Sequence, residues 1–152
     1  LGKEVFEFRV PFRRYTKPSL EAKYGSDWES SISSESSQPV WVLDHKREFY
    51  DKEDPTAPGT YLNYDLIYPL SFGEGMSGAE REHEYAQIVH RIKRDGLDIS
   101  AYEHYLRQAK KGFLPSAGAG IGIERLARFV TRAEHAGDTT IFKRIPGVEV
   151  DM

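Results

Sequence analysis

The sequence predicts an α+β fold in a single domain over residues 1–152, with an antiparallel-dominated sheet flanked by helices. Three observations carry that expectation. Short runs rich in branched and aromatic residues, such as Val40 to Leu43 and Tyr61 to Leu70, read as strands. Apolar positions at helical spacing follow between residues 79 and 109, and a glycine-alternating segment then returns to extended chain.

Taken in order, Val5 to Val10 alternates apolar and polar residues and reads as an edge strand stopped by Pro11. Ser26 to Gln38 is serine-rich around Trp28 and Ile32 and reads as a short capped helix or a mobile connection. Val40 to Leu43 is an inner strand, and Arg47 to Tyr50 is expected to resume the extended chain. Asp51 to Gly59, with two prolines and several charges, is a solvated loop. Tyr61 to Leu70 forms a strand ended by Pro69, with Asp65 in its middle. Ala79, Tyr85, Ile88, Val89 and Ile92 predict a helix ended by Gly96. A second helix starts near Asp98 or Ser100 and stops at Gly112, closing a helical hairpin. Ser116 to Ile123 is the glycine-rich strand, near the Asp65 strand in the sheet. Leu126, Phe129 and Val130 then share one face of a last helix.

Composition bounds the function. A chain of 152 residues with 39% hydrophobic side chains builds one modest core, and a formal net charge of -3 gives no global field that would draw it onto nucleic acid. It contains no cysteine, which excludes disulfides and thiolate metal sites. No window approaches the roughly 20 apolar residues needed to cross a bilayer. The first residues, beginning at Leu1, show no secretory pattern, so a cytoplasmic location and an excised fragment are expected. The five histidines show no tight ligand spacing and are read as surface residues, and the tyrosines as packing residues.

Two segments carry chemistry. In Gly73 to Arg81, a carboxylate, a hydroxyl and a guanidinium occupy a glycine-loosened stretch. Glu74 with Asp65 on a neighbouring strand suits a hard cation such as Mg²⁺, and Ser77 adds an oxygen. Arg81 offers a planar fork for a carboxylate or phosphate. The same stretch also reads as a turn leading into a helix N-terminus, with Ser77 as its cap. In Gly118 to Leu126, glycines at alternate positions leave one backbone face bare for a flat ligand, and Arg125 follows to meet a polyphosphate. A dinucleotide-binding fingerprint is excluded by context, since the segment lies near the end of the chain and not after the first strand of a βαβ unit. A glycine-lined strand packed on a helix, with Ala119, Ile121 and Ile123 on its packing face, is the structural alternative.

In order and spacing these segments resemble the C-terminal half of the catalytic domain of class II aminoacyl-tRNA synthetases of the aspartate/asparagine subgroup. The resemblance rests on Arg47-Glu48-Phe49-Tyr50, Tyr64-Asp65-Leu66, Gly73-Glu74 with Ser77-Gly78 and Arg81, Leu97-Asp98 with Tyr102, Gly118 to Leu126, which resembles that family's motif 3, and Phe142 to Gly147. It covers about residues 39 to 150. It implies that Arg125 meets the γ-phosphate of ATP, that Glu74 and Asp65 with Ser77 hold Mg²⁺, and that Arg81 binds the side chain of aspartate or asparagine. Tyr50 and Gly120 to Gly122 would wall the pocket. The implied reaction forms an aminoacyl-adenylate and pyrophosphate. Motifs 1 and 2 and the anticodon-binding barrel are not recognisable, so tRNA contact is expected only through further domains and a homodimer is left open. An AMP-forming asparagine synthetase of the same family and a non-catalytic nucleotide- or partner-binding paralogue are the alternatives.

Overall fold

The computed structural model describes residues 7–141, and these form one five-stranded sheet carrying helices. The strands are β1 (Arg13–Thr16), β2 (Val40–Leu43), β3 (Asn63–Tyr68), β4 (Gly73–Arg81) and β5 (Ser116–Ile121), and their order across the sheet is the order of the chain. β1 runs parallel to β2, and the remaining neighbours are antiparallel. Helices α1 (Lys17–Tyr24) and α2 (Trp28–Glu35) connect β1 to β2. Helices α3 (Tyr85–Arg94) and α4 (Glu103–Ala109) form the hairpin between β4 and β5, and α5 (Ile123–Thr131) follows β5. No helix among the described residues is long and apolar enough to cross a membrane.

Alternation along the strands sends Val40, Val42 and Ile67 to one face, where they pack under Leu20, Trp28 and Ile32 of α1 and α2. The serine-rich segment is thus a helix, because Trp28 and Ile32 lie one turn apart and both are buried. A second cluster joins Phe49 to Ile88, Ile92, Leu106 and Ala109 of the helical hairpin, as the helical periodicity predicts. Asp98 caps a short 3₁₀ turn ahead of α4 by accepting the Ser100 N–H.

Several expectations are corrected. Residues 7–10 are not a strand, and Val10 is exposed; the edge strand is β1, beyond Pro11, while Val5 and Phe6 lie outside the described residues. Arg47 to Tyr50 is irregular. Its backbone is tied down by the buried Arg91 guanidinium, which donates to the Glu48 carbonyl at 3.2 Å and the Asp51 carbonyl at 3.2 Å. The helix begins at Tyr85, not at Ala79, since Gly73–Arg81 is wholly strand and Ser77 caps nothing there. Ile121 and Ile123 are exposed, so the packing face expected on the glycine strand is uncovered among the described residues. His45 is buried, contrary to a surface role. The segment Phe142 to Gly147 lies outside the described residues.

Candidate functional site

One row of the sheet sets the site. Register pairs Val42 with Asp65, Asp65 with Ser77, and Ser77 with Gly120, so residues from four strands stand side by side. The neighbouring row pairs Asn63 with Ala79 and Ala79 with Gly118, and Arg81 pairs with Ser116. Because side chains alternate, Asp65, Ser77, Arg81, Gly118 and Gly120 belong to one face.

Glu74 joins them through an irregularity. It stands an odd number of residues from Ser77, which in a regular strand places it on the opposite face. The register shifts between Leu66 and Ile67, with Met76 opposite Leu66 and Glu74 opposite Ile67, so Gly75 is the extra residue of a β-bulge. The bulge carries Glu74 to the face of Asp65 and Ser77. A Cβ on Gly75 would lie 2.0 Å from Tyr68 Cε2, so no larger residue fits there without displacing that ring.

Arg47 occupies the centre of the row. Its Nη1 donates to Asp65 Oδ1 at 2.7 Å and to Ser77 Oγ at 2.7 Å, while Nη2 reaches the Gly78 carbonyl at 3.4 Å. The other Asp65 oxygen is 3.2 Å from His45 Nε2, which is also 3.1 Å from the Val42 carbonyl. Both neighbours are acceptors, so His45 carries its proton on Nε2. Burial lowers the His45 pKa against the opposing pull of Asp65, keeping the imidazole neutral.

Arg81 is held from behind. Its Nη1 donates to Asp51 Oδ1 at 2.8 Å, and its guanidinium lies 5.1 Å from the Tyr50 ring centroid. Asp51 Oδ2 accepts from Asn63 Nδ2 at 3.0 Å. Asp51 is a residue that composition missed, since it opens a loop of charged residues and prolines yet is only 3% exposed. An open cavity of about 340 Å³ adjoins Arg81, lined among others by Tyr50, Glu82, Tyr105, Phe113 and Ser116.

Arg125, in the first turn of α5, reaches back across the bulge. Its Nη1 donates to the Glu74 carbonyl at 2.9 Å and to Glu74 Oε1 at 3.3 Å. Burial raises the Glu74 pKa, with Asp65 and Glu29 acting in the same direction and Arg125 and Arg47 opposing them. A Cβ at Gly120 would meet nothing within 4 Å, whereas one at Gly122 would press on the Arg125 stem at 3.2 Å. The bare backbone expected of this segment is thus present at Gly120, and Gly122 makes room for Arg125.

The matching model is that of the tRNA synthetases class II (D, K and N), over residues 2–146. The chain belongs to this family. Among curated relatives, the asparagine--tRNA ligase of Pyrococcus abyssi is 39% identical over 125 residues, covering 80% of this chain and 29% of the relative. The asparagine--tRNA ligase of Thermoplasma acidophilum is 32% identical over 132 residues, covering 82% of this chain and 31% of the relative. The crystal structure of asparaginyl-tRNA synthetase from Pyrococcus horikoshii has a TM-score of 0.78 at 31% identity, covering 91% of this chain and 37% of that one. Aspartyl-tRNA synthetase from Entamoeba histolytica, at 22% identity and a TM-score of 0.74 over 96% of this chain and 34% of its own, shares the fold. The chain therefore spans about three-tenths of the length of the curated class II relatives it matches.

Asp65, Glu74 and Ser77, the expected Mg²⁺ ligands, share one face of the sheet, with Arg47 donating to Asp65 and Ser77. Among the described residues no group of three or more histidine, cysteine, aspartate or glutamate side chains is arranged to hold a metal ion.

Proposed function

We propose that this chain supplies the amino-acid and phosphate subsites of an ATP-dependent ligase that activates asparagine or aspartate as an aminoacyl-adenylate. The carrying observation is the single sheet face that unites Arg81, Ser77, Asp65, bulged Glu74 and the bare Gly120, with Arg125 at its end. The Pyrococcus horikoshii synthetase, solved also with asparaginyl-adenylate, matches this chain with a TM-score of 0.77 at 31% identity, which supports the reading.

In this reading an oxygen of the amino-acid carboxylate attacks the α-phosphorus of ATP. The bond from that phosphorus to the bridging oxygen breaks, and pyrophosphate leaves with the electron pair. No covalent bond to the protein forms. Arg125 meets the γ-phosphate, and its exposed fork has donors to spare beyond Glu74. Gly120 leaves a flat floor for the adenine, and Tyr50 stacks on Arg81 to fix the fork that receives the amino-acid side chain. Rate enhancement comes from alignment of two anions and from fixed positive charge where negative charge develops. Asp65 and Ser77, which with Glu74 would hold Mg²⁺ on the ATP phosphates, are held in place by Arg47. The acceptor of the adenylate is tRNA, as in the ligases whose names the relatives carry.

Exchange of labelled pyrophosphate into ATP tests the reading. Exchange that requires asparagine or aspartate and is lost in Arg125→Ala supports it. Folded protein with neither exchange nor ATP binding would overturn it.

A further inference from the structure

We infer that Asp51 is a specificity-determining residue, which turns the Arg81 subsite from a carboxylate grip into a carboxamide subsite. The inference rests on the functional reading above and names the substrate class of the same site.

Asp51 is buried and fully engaged. Its Oδ1 takes the Arg81 Nη1 proton at 2.8 Å, its Oδ2 takes that of Asn63 at 3.0 Å, and Arg47 Nε stands 3.6 Å from Oδ2. The backbone fixes it as well, through a bridge to Arg81 and the Arg91 bond to its carbonyl. Arg81 therefore meets a substrate with one Nη1 proton held by Asp51 and its charge already compensated by that buried carboxylate, so its pull on a substrate carboxylate is weakened.

What remains is a donor beside an acceptor. Arg81 Nη2 lies 3.5 Å from the Gly118 carbonyl oxygen. A carboxamide matches that pair, its oxygen accepting from Nη2 and its NH₂ donating to the Gly118 carbonyl. A carboxylate in the same place would direct one oxygen at the carbonyl oxygen with no proton between them. It would also meet a guanidinium already neutralised by Asp51, in a cavity that Glu82 helps to line. Sites built on such hydrogen-bond matching discriminate strongly, because the wrong ligand leaves polar groups unpaired.

The test is titration of the chain with L-asparagine and L-aspartate in the presence of a non-hydrolysable ATP analogue, for the native protein, Asp51→Asn and Asp51→Glu. The native chain should favour asparagine by about 10-fold or more. Asp51→Asn removes the carboxylate charge that compensates Arg81 and should move the ratio by about 10-fold toward aspartate, while Asp51→Glu keeps the native preference. A purely structural role would weaken both ligands together and leave the ratio alone. Equal or tighter binding of aspartate by the native chain overturns the inference, even where Asp51→Asn fails to fold. An unmoved ratio in folded Asp51→Asn overturns it too. Absence of binding of both amino acids and of the nucleotide analogue to folded native protein overturns the functional reading instead, and the inference with it.

Discussion

Arg47 Nη1 stands 2.7 Å from Asp65 Oδ1 and 2.7 Å from Ser77 Oγ, so one nitrogen of this chain bridges two residues that are each other's register partners. A positive charge already fills the position where carboxylate and hydroxyl converge. Asp65 is almost wholly buried, and its loss of that partner leaves an uncompensated charge beside a neutral His45. Arg47→Met should therefore cost about 3 kcal/mol in urea unfolding. Added Mg²⁺ should recover part of that loss in the variant and leave the native chain unchanged. Equal response of the two proteins to Mg²⁺ would show that Arg47 and the cation do not compete.

Gly75 and Gly120 are predicted to respond oppositely to the same added methyl. At Gly75 the Cβ would lie 2.0 Å from a Tyr68 ring that is itself stacked on Phe129, with centroids 4.3 Å apart. The ring is buried as well as stacked and cannot yield cheaply. Gly75→Ala should destabilise by about 2 kcal/mol or more. Gly120→Ala enters open space and should leave the unfolding midpoint unchanged, yet it roughens the proposed nucleotide floor and should weaken ATP binding. Paired melts and nucleotide titrations separate the two; loss of stability at Gly120 would contradict the open face.

Much of this site was legible as motif and little of it as geometry. Glu74, Ser77, Arg81 and Arg125 stand out because their residue types are needed for phosphate and carboxylate binding. The strand that carries the first three was less visible, since its glycines weaken the period-two pattern and the bulge at Gly75 resets its phase. The hairpin of α3 and α4 was readable because Ile88 and Ile92 repeat at helical spacing and Gly96 closes the turn. Arg47 to Tyr50 looked like a strand, but its backbone is satisfied by Arg91, a side chain more than 40 residues away from Glu48 that no local pattern announces. Asp51 and His45 were misjudged for the same reason: their partners come from distant strands, and composition does not report burial.

Glu74 gives a pH signature with a definite sign. Burial, Asp65 and Glu29 raise its pKa in the fold, outweighing Arg125 and Arg47. The folded state thus holds this proton more tightly than the unfolded chain. Its contribution to stability is complete below the unfolded pKa and is lost as pH rises through the folded one. Glu74→Gln carries no such titration. The stability of the variant relative to the native chain should therefore rise from about pH 4 to about pH 7. Urea midpoints across that range provide the check, and a difference that stays flat or falls would contradict the assigned direction.

Arg125 should separate function from folding. Its side chain is 54% exposed, and its bonds to the Glu74 carbonyl and carboxylate lie at the surface. Exposed pairs of this kind contribute little, so Arg125→Ala should cost less than about 1 kcal/mol in urea unfolding. The same change removes a fixed charge aimed at the phosphates and should lower exchange activity by about 100-fold or more. Arg125→Lys keeps the charge but not the fork, and should fall between the two because an ammonium cannot reproduce bidentate contact. Equal activity in the lysine and arginine forms would show that charge alone suffices. Equal losses of stability and activity in Arg125→Ala would make this residue a tether for the bulge and no phosphate ligand.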